Sequence, residues 1–521
     1  MTPDRFSEIA AQGYTHVPIT RELFADLDTP LSCYIKVARG PYSYLLESAN
    51  QGGEKWSRYS VVGLPAQSVL KVSGNDLIIE RDGEVIESLV CEDPLTFIEE
   101  FQSRFKYPVL EELPFYTGGL VGYFGYDTVR YVEKRIANGA PKDTIGSPDI
   151  LLMVSNDVIV FDNVKGKIHL ISHANPQIEG SYSNAQARLD SMALAMQSDV
   201  PSLIRSPTVG PVIHEADFES SYGEQKFKED VERIKAYIVD GDVMQVVLSQ
   251  RMSIGFEADP LNLYRALRSL NPSPYMYYMD LGEEQIVSSS PEILARLENG
   301  EVTVRPLAGT RRRGKDVEED LALEAELLAD PKELAEHLML IDLGRNDVGR
   351  VSQTGSVAVT EMMVVERYAH VMHIASNVSG QLIEGLSALD LLRATLPVGT
   401  LSGAPKVRAL EIIDELEPEK RGIYGGAVGY LSWNGNMDTA IAIRTAVIKK
   451  QKLYIQAGAG VVADSIPALE WEETMNKARS VFIAAAMAEN GLSVAPGEAE
   501  NLREHNDGEA RQVVGLNQGE R

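Results

Sequence analysis

Apolar residues recur along this chain with two periods, near two and near 3.6, and the period changes from segment to segment. Ser43 to Ser48, Tyr59 to Val62, Ser68 to Val72 and Leu77 to Glu80 have the pattern of short strands. Turn signals stand at Gln51-Gly52-Gly53 and Asp82-Gly83. Asp93 to Phe105 reads as a helix, with Asp93 as cap and Pro94 at the first position. Gly118 to Tyr126 is an apolar strand spaced by glycines, and strands return at Ile150 to Phe161 and Lys167 to Ser172. Residues 1–30 read as a lead-in with one short helix, and the strand pattern begins at Ser32.

A helix near Asn184 to Met196 precedes Ser198 to Ile213, which reads as a linker. The second half opens with a helix from Ser220 to Asp240 and a buried strand from Val243 to Arg251. Pro260 to Leu270 is helical; Tyr275 to Asp280, Glu284 to Ser289 and Val302 to Pro306 are strands. Asp316 to Ala329 is an acidic helix. The next helix is capped by Asp330, with Pro331 first and Glu333 as box partner, and runs towards Gly344. Val357 to Arg367 and Val371 to Leu382 are strands. Ser387, with Asp390, caps a helix that Pro397 ends, and another runs from Pro405 towards Leu416. A meander of Gly422 to Ser432, Met437 to Lys449 and Lys452 to Val462 follows, and a long helix from Pro467 to Gly491 closes the pattern. The expected division is a strand-rich unit over 1–197, a linker over 198–213, a second unit over 214–491 and a disordered tail over 492–521. Strands with interspersed helices point to an α+β class.

Composition narrows the function. The net charge of -27 argues against nucleic acid or an anionic membrane as partner. An anionic substrate would need a locally basic pocket. Two cysteines, Cys33 and Cys91, build neither a disulfide framework nor a zinc cluster, which fits a reducing cytoplasm. No apolar run is long enough to span a bilayer.

Several residues could carry chemistry. The loop Leu396 to Lys406 joins two helices with glycines, Thr400 and Ser402, and its backbone N–H groups suit an anion. Arg444 interrupts the apolar run Ala440 to Val447, so it needs a partner, either a structural acid or a substrate carboxylate. Gly458-Ala459-Gly460 would let a ligand approach the backbone. Glu336 and Glu473, on separate helices, could share magnesium with substrate and water, or could be solvated acids. His373 is either a satisfied core histidine or a general acid or base. Glu292 follows a strand end, as a turn residue or as a proton donor in a cleft.

Taken together, these stretches resemble the chorismate-using enzymes, and most closely the anthranilate synthase component I family. The likeness runs from about residue 20 to 488. It is carried by Leu45-Leu46-Glu47-Ser48, Arg58-Tyr59-Ser60, Asn271 to Met276, Ser290-Pro291-Glu292, Pro306 to Arg311, Asp342 to Asp347, Gly399 to Lys406, Tyr424 to Tyr430, Gln456 to Gly460 and Asn476 to Arg479. The resemblance implies a β-rich N-terminal subdomain on a larger catalytic domain, with orthogonal sheets flanked by helices. It implies amination of chorismate to anthranilate with release of pyruvate. Glu292, His373 and Thr400 would be catalytic. Gly309, Thr310, Tyr424, Arg444, Gly458, Ala459, Gly460 and Lys477 would bind chorismate, and Glu336 and Glu473 would hold Mg2+. Ser48, Pro274, Tyr275 and Met276 would bind L-tryptophan as feedback inhibitor. A separate glutaminase subunit would supply ammonia, in a heterotetramer of two large and two small subunits. Water-adding relatives have a lysine where Gln245 stands here, and aminodeoxychorismate-forming relatives have one where Ala308 stands. Both differences favour the anthranilate branch over an aminodeoxychorismate synthase. The intact motifs disfavour a non-catalytic tryptophan-binding subunit.

Overall fold

In a computed structural model, residues 1–49, 58–110, 112–201, 213–368 and 371–492 are described. Most of the expected linker, the tail beyond Leu492 and the turn at Gln51-Gly52-Gly53 lie outside them.

Two antiparallel sheets of twelve strands form the frame, and neither belongs to one half of the sequence. In the first, Ser43–Glu47 pairs with Tyr275–Asp280, Met276 opposite Glu47. In the second, Gly119–Phe124 pairs with Ala427–Ser432, Gly122 opposite Gly429. The segments 1–197 and 214–491 are therefore continuous through strand hydrogen bonds in both sheets.

Strand alternation explains why both faces are apolar. Leu120 and Phe124 point into one core cluster, with Ile150, Leu152 and Val154 beside them. Val121 and Tyr123 point the other way, into the cluster between the sheets, with Leu151 and Met153. Helices cover the outer faces. Ser181–Met196, Pro260–Leu270 and Pro467–Glu489 pack on the first sheet. Pro94–Ser103, Pro331–Gly349 and Ala388–Thr395 pack on the second. This is the expected α+β architecture.

The local stop signals act as expected. Asp93, Asp316, Asp330 and Ser387 cap their helices through the side chain, and Ser387 forms a full box with Asp390. The expected box of Asp330 with Glu333 does not form: Asp330 N–H donates to Leu327 O (3.3 Å), and Glu333 turns to Arg311 (3.5 Å). Four further readings need correction. Val17–Phe24 is a strand, where the lead-in was expected to hold only a helix. Pro30–Cys33 and the turn after it are helical, not the start of the strands; Thr29 caps them and Pro30 opens them. The helix from Pro331 runs past Gly344 to Gly349, because Gly344 packs close to Val304 and buried Val348 still faces the core. Ile150 to Phe161 and Met437 to Lys449 are each two strands, and the two parts of each lie in different sheets.

These breaks are crossings from sheet to sheet. Glu284–Ser290 lies in the first sheet and Ile293–Glu298 in the second, so the chain crosses at Pro291-Glu292. Met437–Ile441 lies in the second and Thr445–Lys449 in the first, so the chain crosses back at 442–444. The two crossings are tied together. Ile441 N–H donates to Glu292 O (3.0 Å), and Ser289 N–H donates to Arg444 O (3.2 Å).

Candidate active site

The crossings that carry Glu292 and Arg444, far apart in sequence, are thus bonded to each other through backbone where the sheets exchange strands. Arg444 has a φ of 50°, in the left-handed region that disfavours a side chain with a Cβ. Such a residue persists only where its surroundings fix it. Its guanidinium donates to Lys477 O (2.8 Å), and among the described residues it forms no ion pair within 4 Å. The structural-ion-pair reading fails, and a buried cation is left able to receive an anion.

Glu292 is 5% exposed. Burial pushes its carboxyl up to about 8, and the Thr400 hydroxyl and the Lys477 charge oppose this only partly. Thr400 Oγ1 donates to Glu292 Oε1 at 3.4 Å. Behind the pair lies a pocket lined by Ile293, Leu294, Pro306, Leu343 and Val398, with Arg305 and Asp347 at its polar side. Glu292 is therefore a neutral acid at pH 7. Thr400 sits in a helical turn, Gly399–Leu401, and the following Gly403–Ala404 adds to the strand Gln245–Gly255. The loop end is anchored by Lys406, whose ammonium pairs with buried Asp347 (2.9 Å).

His373 Nδ1 lies 3.0 Å from Gly309 O and 3.1 Å from Thr310 Oγ1. A carbonyl only accepts, so Nδ1 carries the proton and Nε2 the lone pair. Burial, with Arg444 and Lys477 nearby, holds the imidazole down at about 4. His373 is thus equipped as a base. Gly309 makes this possible. Its φ of 67° falls at a register shift between Ala308 and Thr310, and a side chain there would press on Leu327 and Glu333.

Gly458, Ala459 and Gly460 end the strand Lys452–Val461. A Cβ on Gly458 would come 3.0 Å from the Tyr424 hydroxyl, and one on Gly460 would come 2.4 Å from Gln245 Nε2. The glycines are what let Tyr424 and Gln245 lie against the backbone. Lys477 Nζ donates to Gly458 O (2.8 Å) and pairs with Glu473 (2.7 Å). Gln245 Nε2 donates to Glu336 Oε1 (3.3 Å). Glu336 and Glu473 are thus linked, through one residue each, to the same short stretch of strand.

Among the described residues no three His, Cys, Asp or Glu are grouped to hold a metal. The donor set nevertheless fits magnesium, which takes one or two carboxylates and completes its shell with water and substrate oxygens. Each glutamate has a second acid one turn before it on its helix. Burial raises Glu333, with Glu336 adding to the effect, and burial together with Glu473 raises Glu470 to about 7. A hard cation would relieve this concentration of negative charge.

The two segments expected to bind L-tryptophan also meet. Ala49 N–H donates to Ser273 O (3.0 Å), which places Ser48 beside Pro274 and Tyr275. The Ser48 hydroxyl is buried and has no hydrogen-bond partner among the described residues. Tyr275 packs against the cluster between the sheets, whereas Met276, the next residue in the strand, faces the outer helices.

Sequence reasoning missed one group. Glu417 and Arg421 form an ion pair with side chains 2% and 1% exposed. In sequence they look like part of a charged turn around Pro418. Only the four-residue separation of opposite charges hinted at a pair.

A profile of the chorismate binding enzyme family matches residues 42–482. Anthranilate synthase component 1 of Pseudomonas aeruginosa is 59% identical over 492 residues, covering 94% of this chain and 100% of that protein. The Neisseria gonorrhoeae protein of the same name is 56% identical over 488 residues, covering 93% and 98%. The crystal structure of anthranilate synthase component I from Streptococcus pneumoniae superposes with a TM-score of 0.74 at 40% identity, over 88% of this chain and 99% of that one. With site and sequence in agreement, this chain belongs to the chorismate binding enzyme family, in its anthranilate synthase component 1 group.

Proposed function

We propose that this chain is an anthranilate synthase large subunit, which turns chorismate and ammonia into anthranilate, pyruvate and water. The observation that carries the reading is the neutral, buried Glu292 on a crossing bonded to the one that carries the Arg444 cation, which pairs with no acid among the described residues. Ammonia adds at C2 of chorismate as the C4 hydroxyl departs. Glu292 gives that hydroxyl its proton, so it leaves as water, and Thr400 orients the carboxyl. Arg444 and Tyr424 hold the enolpyruvyl carboxylate, the backbone of Gly458, Ala459 and Gly460 lines its approach, and Lys477 adds positive charge. Gly309 and Thr310 complete the wall beside His373. Neutral His373 then takes the C2 proton as the C3–O bond breaks and the ring aromatises; the enolpyruvyl group leaves as an enolate, which takes up a proton at its CH2 to become pyruvate. Glu336 and Glu473 are the residues to hold Mg2+, which when bound would supply a fixed positive charge for the ring carboxylate. The purified chain with chorismate, an ammonium salt and magnesium should yield fluorescent anthranilate. A product that stays unaromatised would instead support the aminodeoxychorismate reading.

His373→Ala is expected to stop the reaction after amination, so that the aminated, non-aromatic intermediate accumulates in a chromatographic time course. Full conversion to anthranilate at the wild-type rate removes the base role.

Glutamine-dependent turnover requires a partner in this reading. Cys33 is buried and its thiol is pushed up to about 12, which leaves it inert, and Cys91 lies in no nucleophile turn. A separate glutaminase subunit supplies the ammonia, and the assembly is two large and two small subunits.

L-Tryptophan is the feedback inhibitor, bound where Ser48 meets Pro274, Tyr275 and Met276. The unpartnered Ser48 hydroxyl supports this, since a buried polar atom without a partner is unfavourable until a ligand supplies one. The pairing of Ser43–Glu47 with Tyr275–Asp280 continues through Glu284–Ser290 to Glu292, a route by which occupancy could reach the catalytic crossing. Ser48→Phe fills the pocket, so ammonia-dependent turnover should persist while inhibition by tryptophan is lost. A Ser48→Phe enzyme that tryptophan still inhibits fully overturns this assignment.

A further inference from the structure

We infer that Arg421 is a positioning residue that fixes three parts of the active site from beneath, without touching substrate. Its guanidinium is held by Glu417 through two bonds, from Nε to Oε2 (2.8 Å) and from NH2 to Oε1 (2.6 Å). Glu417 is fixed in turn, because its Oε1 accepts from the backbone N–H (2.8 Å) and the hydroxyl (2.7 Å) of Ser249. The remaining donors of Arg421 reach backbone. NH1 donates to Leu401 O (2.6 Å), next to Thr400. NH2 donates to Val247 O (2.8 Å), two residues along the strand from Gln245. The guanidinium also lies 5.7 Å from the ring centre of Tyr424 and 4.6 Å from that of Tyr126.

One rigid, planar group therefore fixes the Thr400 loop, the Gln245 strand and the Tyr424 ring relative to each other. The segments at 247 and 401 are already joined by strand bonds, Val247 N–H to Ser402 O (2.9 Å) among them, and Arg421 braces that junction and ties it to the Tyr424 ring. A lysine could keep the charge but not the fork: it has no planar set of donors to serve a carboxylate and two carbonyls together. The inference rests on the proposed roles of Tyr424 and Thr400 toward chorismate. Misplacement of such groups by about 1 Å costs on the order of 100-fold in rate.

The test is a double-mutant cycle of Arg421→Lys with Tyr424→Phe, reading kcat and the KM for chorismate and for ammonium separately. Arg421→Lys should lower kcat/KM for chorismate by roughly 10- to 100-fold, through both kcat and KM, and leave the KM for ammonium unchanged. The cost of removing the Tyr424 hydroxyl should shrink at least about fivefold in the Arg421→Lys background, because the ring is no longer held in place. A loss in kcat alone, with the Tyr424→Phe effect unchanged, means fewer folded molecules and overturns the inference while leaving the site reading intact. A Tyr424→Phe enzyme that behaves as wild type overturns the Tyr424 role and the inference with it. If Arg421→Lys does not fold, Glu417→Gln, which frees the guanidinium at nearly constant volume, carries the same cycle with the same outcomes.

Discussion

Glu292→Gln should lower kcat by roughly 10²- to 10⁴-fold, the range for loss of a general acid, and at the same time stabilise the folded chain above neutral pH. The two effects have one origin. The carboxyl ordinarily titrates near 4.5 and burial moves it to about 8. A folded-state pKa above the unfolded one means that the fold binds the proton more tightly. The stabilisation this brings is complete below about 4.5 and is lost as pH rises through about 8. At about 1.4 kcal/mol per unit, ionised Glu292 costs the fold a few kcal/mol at alkaline pH, and an uncharged amide escapes that cost. Activity follows the same group. Wild-type kcat should fall as pH rises past about 8, where the acid form is lost. Thermal unfolding at pH 9 together with steady-state rates checks both. A glutamine variant that is destabilised at pH 9, or that keeps its turnover, rules out the neutral-acid role.

Glu336→Gln should cost at least about 100-fold in turnover, since a metal-borne charge on substrate is worth several kcal/mol. Magnesium affinity should fall about 10- to 100-fold. The argument is about charge density. Two helices each present a pair of glutamates one turn apart, Glu333 with Glu336 and Glu470 with Glu473, and one carboxyl of each pair resists ionisation. Lys477 pairs with Glu473 (2.7 Å) and Arg311 lies 3.5 Å from Glu333, which balances part of this charge, and a bound cation would balance more. Glutamine keeps the Gln245 contact possible but halves the carboxylates facing the cation. Binding of Mn2+ followed by its paramagnetic signal gives a readout independent of catalysis. Unchanged ion affinity in the variant would place the metal elsewhere.

Much of the site could be read along the chain because its parts are short motifs with local chemistry. Gly458 and Gly460 were read as places of close approach, and Tyr424 and Gln245 do lie against them. The caps at Asp93, Asp330 and Ser387 are satisfied by residues two or three positions away, so sequence alone could place them. Arg444 was legible as a misfit charge, but its setting was not. The apolar run around it points to mid-strand, whereas it stands at a crossing between sheets, with no acid paired to it among the described residues. The strand Val17–Phe24 lies at a sheet edge, where five of its residues, Thr20 to Phe24, are not fully buried, so its pattern is diluted.

What the sequence determined by itself is what acts over a few residues: the alternation that makes strands apolar on one or both faces, the caps that start helices, the glycines that admit close neighbours, and the residue types able to hold a proton, a carboxylate or a cation. Tertiary structure decided which of these meet. Nothing in the run Met437 to Lys449 says that its two ends join different sheets, because both ends are buried and both alternate. Only the competition among strands for partners settles that, and it bonds the crossing of Glu292 to the crossing of Arg444. The shift of Glu292 to about 8 likewise arises from burial by residues distant in the chain, from Leu343 to Val398. The Arg421 fork is the same case: its partners at 247, 401 and 417 converge because the sheets and helices hold them there, and desolvation makes each bond strong.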